Sequence, residues 1–207
     1  MTEASASAFD RLLSAIAAGD TTTALTLLDR DPGLAKVAAT TGATRAQAVP
    51  YFLTAIGHYV YAGDTALHIA GAAHAPDIAR RLLALGADPV ACNRRGATPL
   101  HYAADARPDV PGWDAAAQAE TIACLVAAGA GPDLPDRSGV TPLHRAVRTR
   151  GASAVAALLE AGADPDRRNG NGSTARDLAT RTTGRSGSGL PGAKAQQAEI
   201  LALFDAL

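Results

Sequence analysis

Three histidines recur along the chain and are the first residues whose chemistry we consider. His68, His101 and His144 lie 33 and 43 residues apart, and imidazoles that converge in space could bind a metal ion or act as general bases. Each histidine, however, follows a threonine by three residues within the same short motif. Repetition of that motif explains the spacing of the histidines better than convergence on one site.

The other motifs that could carry chemistry are incomplete. Residues 187–194 are loosely similar to a phosphate-binding loop, but Ala195 stands where a Ser or Thr would bind magnesium, and no apolar strand precedes the loop. The two cysteines, Cys92 and Cys124, form no Cys-x-x-Cys pair and lie in no nucleophile motif. We therefore predict no catalytic residues, no metal site and no cofactor, and we expect the chain not to be an enzyme.

The composition indicates a soluble globular protein. The chain of 207 residues is 47% apolar and 19% charged, and its net charge of −1 is unlike that of a generally basic nucleic-acid binder. Its apolar stretches end well before the roughly 20 residues that a membrane span needs. Residues 1–10 lack a basic leader followed by an apolar run. We therefore expect a cytoplasmic protein that does not bind membranes.

Two sequence motifs repeat in step and indicate the architecture that positions these side chains. The segment Gly-Asp-Thr-Ala-Leu-His-Ile-Ala at residues 63–70 returns at 96–103, at 139–146 and, in degraded form, at 172–179. A second segment, Leu-Leu-Ala-Leu-Gly-Ala-Asp-Pro at 82–89, returns at 125–132 and 158–165. Both motifs repeat at intervals of 33 or 43 residues, which is typical of a repeat protein.

This pattern resembles the ankyrin-repeat family, whose unit is a β-turn followed by two antiparallel helices. The resemblance covers nearly the whole chain and implies an all-α fold of helix-turn-helix repeats with β-turns, an ankyrin-repeat solenoid of about five repeats. It also implies that the recurring histidine and its threonine join helix and turn by hydrogen bonds.

Local chemistry agrees with this unit. Thr98 can cap a helix whose first position is Pro99, where a missing N–H has no cost. Gly86, Gly129 and Gly162 can end the second helices in a left-handed conformation. We expect one ankyrin-repeat domain over residues 1–207, divided as follows: an N-terminal cap repeat at 1–36, an insert at 37–59, repeat two at 60–92, repeat three with a loop insert at 93–135, repeat four at 136–168, and a C-terminal cap repeat with a glycine-rich loop at 169–207.

Three inserts depart from the bare repeat. An aromatic insert around residues 49–61 contains three of the four tyrosines, and it either packs the junction with the first repeat or recognises a partner. A loop around residues 105–117 contains Trp113, either as a hydrophobic anchor or as an interface residue. A glycine-rich loop at residues 184–192 is expected to be flexible. The last two loops should emerge on the edge opposite the turns and could form one surface.

In the ankyrin family the turn tips and first helices line a concave partner surface. On that surface and on the inserts we place these partner-binding candidates: Tyr59, Tyr61, Asp64, Arg94, Arg95, Asp105, Trp113, Arg137, Arg145, Arg148 and Arg181. Residues 137–185 contain nine arginines and four acidic residues, an asymmetry that can steer an acidic partner to one face. The alternative is that these arginines only solvate the surface.

The sequence therefore predicts a noncatalytic protein-protein interaction module, a scaffold or regulator that acts as a monomer. Its concave arginine-rich face and inserted loops would bind a protein partner with an acidic segment. One alternative is a small-ligand-binding protein or enzyme with a pocket near His58, Tyr59 and Tyr61. A second alternative, which the net charge disfavours, is nucleic-acid binding by the arginine face.

Overall fold

A computed structural model of the protein describes residues 7–108, 110, 112–181 and 191–207. Within these ranges ten α-helices follow one another in five pairs, which are α1 (Ala8–Ala17) and α2 (Thr21–Arg30), α3 (Ala66–Ala72) and α4 (Pro76–Ala84), α5 (Pro99–Ala103) and α6 (Ala115–Ala127), α7 (Pro142–Arg148) and α8 (Ala152–Glu160), and α9 (Ala175–Ala179) and α10 (Pro191–Asp205). Short 3-10 helices lie at Pro32–Lys36 and Val49–Tyr51. Two strands, β1 (Phe52–Leu53) and β2 (His58–Tyr59), form the one sheet of the described residues.

The helix pairs stack in two layers. The first helices contact one another in chain order, from α1 through α3, α5 and α7 to α9, and the second helices do the same from α2 to α10. Leu67, Leu100 and Leu143 of the first helices are fully buried, as the repeat predicts. The core is continuous from the first pair to the last because each pair covers the apolar face of its neighbour.

The recurring histidines hold each repeat to the next. In every case Nδ1 accepts the N–H of the threonine three residues earlier, at 3.1 to 3.2 Å. Nε2 then donates to a carbonyl of the following turn: His68 to Ala97 at 3.1 Å, His101 to Val140 at 2.9 Å and His144 to Ser173 at 3.0 Å. Both ring nitrogens are therefore used within the fold, and none is directed at a shared metal.

Burial keeps these imidazoles neutral. Removal from water lowers the pKa of all three histidines, and that of His101 falls from 6.5 to about 4. A neutral ring with its proton on Nε2 fits the observed contacts, because Nδ1 must remain an acceptor for the threonine N–H. In the last repeat Asp177 replaces the histidine, and its Oδ2 accepts the N–H of Thr174 at 3.0 Å.

Two left-handed residues make a second connection between neighbouring repeats. His74 and Arg150 follow the first helices α3 and α7 and have φ of 49° and 60°. His74 Nε2 bonds to the carbonyl of Asp105 at 3.1 Å, and the guanidinium of the buried Arg150 bonds to the carbonyl of Arg181. Each acceptor follows the first helix of the next repeat, so each side chain caps the neighbouring helix as well as ending its own.

The aromatic insert folds as a hairpin that leaves and re-enters the stack at one place. Its ends are joined by three backbone hydrogen bonds, from Ala39 N–H to the Asp64 carbonyl at 2.8 Å, from Gly63 N–H to Ala39 at 2.7 Å, and from Ala43 N–H to Val60 at 2.8 Å. In the antiparallel hairpin Phe52 pairs with Tyr59 and Leu53 with His58. Because strand side chains alternate, these two pairs lie on opposite faces.

The loop of repeat three lies against this hairpin. Arg107 Nη1 donates to the Ala55 carbonyl at 3.4 Å, near the hairpin tip. A cavity of about 280 Å³ between the two is lined by Ile56, His74 and Trp113. Trp113 is half-buried there, which supports its interpretation as the anchor of the loop. The expected pairing of this loop with the glycine-rich loop stays a prediction, because residues 182–190 lie outside the described residues.

No helix among the described residues is both long and apolar enough to span a membrane. The first half of the phosphate-loop-like segment, residues 187–190, lies outside the described ranges as well. The last residues of the segment belong to α10, which begins at Pro191.

Candidate functional site

The hairpin, the first helix of repeat four, the loop that follows α5 and the turn tips of repeats three to five border a groove of about 500 Å³. Tyr59 and Tyr61 form part of its wall on the hairpin side. The groove is lined by four arginines but by only two acidic residues, Asp105 and Asp136. The arginines are Arg95, Arg107, Arg145 and Arg148. We call these four residues and the space between them the arginine groove.

Arg145 is fixed at the floor of the arginine groove. It replaces the apolar residue that stands at Ile69 and Tyr102 in earlier repeats. Its Nη2 lies 3.3 Å from Asp105 Oδ2, and its guanidinium lies 5.5 Å from the centre of the Tyr102 ring. An arginine held on both sides in this way loses little further freedom when it binds a ligand.

Asp105 joins the repeats to the insert. The oxygen that contacts Arg145 also lies 3.2 Å from His58 Nε2 on the hairpin. Burial raises the pKa of Asp105, but the nearby charge of Arg145 and the hydrogen bond from His58 outweigh it and lower that pKa below the usual value. The carboxylate is therefore ionised at neutral pH, and it cancels part of the positive charge of the groove.

The turn tip of repeat three brings two adjacent arginines, Arg94 and Arg95, to the insert. The guanidinia of Arg94 and Arg95 each lie 5.2 Å from the centre of the Tyr61 ring, and Arg95 Nη1 lies 3.3 Å from the Tyr61 hydroxyl. Arg95 is exposed and lines the groove. Arg94 is also exposed, but it bonds to the carbonyl of Ala43 and thus holds the base of the insert.

The expectation that Asp64 lies on the exposed partner face is wrong. Asp64 is fully buried. Its oxygens accept hydrogen bonds from Tyr61 N–H at 2.7 Å, Asn93 Nδ2 at 2.8 Å and the Tyr102 hydroxyl at 2.9 Å, and Oδ1 lies 3.9 Å from His68 Nε2. It joins the insert to repeats two and three because a buried carboxylate is stable only with such donors.

The remaining candidates divide between the groove and other surfaces. Arg148 is exposed and lines the groove. Arg137 and Arg181 are exposed but do not line it. The backbone N–H of Arg137 bonds to the Arg95 carbonyl at 3.0 Å and so links two turn tips, while Arg181 Nη2 donates to Ser173 Oγ at 2.8 Å. Trp113 lies at the hairpin-loop cavity instead.

The sequence did carry a signal for the turn tips that we missed. Asn93, Asp136 and Asn169 each stand three residues before a turn glycine. In every case Oδ1 accepts two backbone N–H groups of its own turn, at 2.7 to 3.2 Å. These residues shape the turns that present the arginines. Arg107, by contrast, lies in an insert without a counterpart in other repeats and had no such signal.

Comparison with known proteins agrees with these features. The family model described as ankyrin repeats (many copies) matches residues 125–179, and the model described as ankyrin repeat matches residues 62–94. No curated protein matches the chain significantly. Ankyrin repeats generally mediate protein–protein interaction, and the proteins that contain them are typically noncatalytic. The recurring motifs, the stacked helix pairs and the two family matches together establish that the chain belongs to the ankyrin-repeat family and folds as an all-α solenoid.

Proposed function

We propose that the protein is a noncatalytic interaction module that binds an acidic segment of a partner protein in the arginine groove. The observation that carries this proposal is the convergence of Arg95, Arg107, Arg145 and Arg148 on one concave space of about 500 Å³. A chain with a net charge of −1 thereby has a positive site where its fold offers a concave surface.

Carboxylates fit this site in both charge and geometry. A guanidinium presents a planar fork of donors that matches the two oxygens of Asp or Glu. Arg95 and Arg148 are exposed and can meet such groups at the rim, where they would speed association and align the partner. Arg145 is three-quarters buried and already oriented by Asp105, so it would select a carboxylate at the floor.

The contacts of His58 argue against the alternative of an enzyme with a pocket at the insert. One ring nitrogen lies 3.2 Å from Asp105 and the other 3.4 Å from the carbonyl of Tyr59. Both nitrogens thus have partners in the fold: the Asp105 contact attaches the hairpin to repeat three, and the Tyr59 contact lies within the hairpin itself. The monomeric state and the cytoplasmic location stay predictions from the sequence.

A labelled polyglutamate peptide tests the proposal by fluorescence anisotropy. The double variant Arg95→Glu/Arg148→Glu should bind the peptide at least about tenfold more weakly, because two attractive pairs become repulsive and each exposed pair is worth up to about 1 kcal/mol. The control is Arg11→Glu, which makes the same change at an exposed position of α1 outside the groove.

Three outcomes would contradict the proposal. The first is that the natural protein does not bind polyglutamate at low ionic strength. The second is that Arg11→Glu weakens binding as much per charge as the groove variants do. The third is tighter binding of a labelled oligouridine than of polyglutamate, which would favour nucleic-acid recognition.

A further inference from the structure

The outer face of the hairpin carries exposed aromatic rings. Phe52 and Tyr59 oppose each other across the two strands with ring centres 4.7 Å apart, and the Tyr61 ring lies 6.4 Å beyond Tyr59. The exposed fraction is 39% for Phe52 and 36% for Tyr59. We call Phe52, Tyr59 and Tyr61 the aromatic stripe.

Tyr61 is partly buried against the core, but the packing of the hairpin does not account for the exposed rings of Phe52 and Tyr59. The inner face holds the hairpin to the solenoid, since Leu53 packs against the core and His58 contacts Asp105 and, at 4.3 Å between ring centres, Tyr102. Ile56 and Val60 are buried as well. A hairpin face that only met water would be expected to carry polar side chains, yet both residues of the outer pair are large and aromatic.

The aromatic stripe is continuous with the arginine groove. Tyr59 and Tyr61 belong to the stripe and also line the groove, and the stripe ends at Tyr61, whose ring centre lies 5.2 Å from the guanidinium of Arg94 and from that of Arg95. A ligand that fills the groove therefore contacts aromatic carbon at one side and guanidinium groups at the other. Apolar surface and positive charge are thus offered to one occupant.

We propose that the acidic segment bound by the groove also carries a large apolar side chain, which packs on Phe52 and Tyr59. This inference rests on the proposed function, because the carboxylates would hold the segment in the groove. The arginines would recognise charge in any acidic chain, whereas the stripe would select among acidic chains by their apolar anchor.

Two labelled peptides of equal charge test the inference on the natural protein. One is a glutamate run with a Phe-Leu pair at each end, and its twin has Ser-Ser pairs in the same places. The Phe-Leu peptide should bind about tenfold more tightly than its serine twin, because part of one large apolar side chain becomes buried on binding. Equal affinity of the two peptides would overturn the inference while leaving the proposed function intact.

Variants then locate the effect. Phe52→Ser should reduce the preference for the Phe-Leu peptide to about twofold or less, leaving the affinity of the serine twin unchanged, and Phe52→Leu should largely restore the preference. The control is Leu134→Ser, which removes a side chain outside the insert with the same exposed fraction of 39%. If Leu134→Ser reduced the preference as much as Phe52→Ser does, the stripe would not be the anchor site.

Other occupants of the stripe would give different results. A dimer of the natural protein in sedimentation, abolished by Phe52→Ser, would assign the stripe to an interface between two copies and would overturn the inference. Tighter binding of oligouridine than of either peptide, lost in Phe52→Ser, would assign it to base stacking. A third result would be that the serine twin does not bind, while Arg95→Glu/Arg148→Glu weakens binding of the Phe-Leu peptide. Carboxylates alone would then not hold the segment in the groove, and the inference that charge holds the segment while the stripe selects it would be wrong.

Discussion

Replacement of Asp64 by alanine should strongly destabilise the protein, because this carboxylate is the acceptor at the centre of a buried network. It accepts hydrogen bonds of 2.7 to 2.9 Å from Tyr61 N–H, Asn93 Nδ2 and the Tyr102 hydroxyl. The Tyr102 hydroxyl keeps its proton, since burial and the neighbouring Asp64 raise the pKa of Tyr102 well above its usual value. Asp64→Ala would leave these donors buried without this acceptor.

The expected loss follows from the number of donors. A buried donor left without its acceptor costs about 1 to 3 kcal/mol, and loss of the buried negative charge offsets part of the sum. We therefore expect Asp64→Ala to lower the free energy of unfolding by about 4 kcal/mol, measured by urea denaturation with circular dichroism. Asp205→Ala, at an exposed position near the end of α10, should change it by less than about 0.5 kcal/mol.

A double-mutant cycle separates the network from a simple loss of volume. If the Tyr102 hydroxyl depends on Asp64, the combined variant Asp64→Ala/Tyr102→Phe should lose clearly less stability than the sum of the two single losses. Additive losses would show that the two side chains act independently. A loss below about 1 kcal/mol for Asp64→Ala itself would refute the inference that Asp64 is a buried, multiply bonded carboxylate.

Two further predictions concern the turns and the histidines. Burial lowers the pKa of His101 from 6.5 to about 4, so the unfolded chain takes up this proton first. The contribution of His101 to the free energy of unfolding should be constant well above pH 6.5 and fall by roughly 3 kcal/mol as the pH decreases from 6.5 to 4. Urea denaturation across this range should show a smaller slope for His101→Gln; an unchanged slope would contradict the assignment. Gly63→Ala should lower the free energy of unfolding by at least about 1 kcal/mol more than Gly172→Ala does. Both glycines have a positive φ, of 89° and 77°. A Cβ at Gly63 would lie 2.8 Å from Asn93 Cα, whereas a Cβ at Gly172 would have no atom within 4 Å. Equal losses in thermal unfolding would show that the turn at Gly63 can relax.

The repeat architecture could be predicted because its determinants are local and recur in the chain. Thr98 and Pro99 begin α5, the same pair of residue types begins α7 at Thr141 and Pro142, and Gly86 follows α4 with a positive φ that its lack of a Cβ permits. His101 was expected to join helix and turn from the family resemblance. Its acceptor in the following repeat, the carbonyl of Val140, appeared only in the structure.

Asp64 was misplaced although the repeats contained a warning. The equivalent residues in the next two repeats are Ala97 and Val140, and an apolar residue at a repeated position indicates an interior site. The acidic residue was placed on the surface by its charge alone. Its burial depends on Asn93 and Tyr102, donors that lie in another repeat.

The arginine groove could be predicted only in part. The positions of Arg95 and Arg148 follow from the repeat, since the turn tip and the first helix face the concave side. The pair of Asp105 with His58 joins residues 47 positions apart across two inserts, and inserts have no periodicity from which to infer a contact. Strands of two residues, as in the hairpin, are likewise too short to show an alternating pattern.

The joined ends of the hairpin insert separate the choice of partner from the stability of the fold. Because Ala39 and Gly63 are hydrogen-bonded to each other, the chain between them can change in length or sequence without shifting the register of the helices, and lengthening such a loop costs only a few tenths of a kcal/mol per added residue or less. The segment is therefore a natural position for grafting. A library randomised at the exposed positions Phe52 and Tyr59 would explore new specificities while Leu53, Ile56 and His58 keep the hairpin on the solenoid. The same freedom would let related chains diverge in partner while their repeats stay alike.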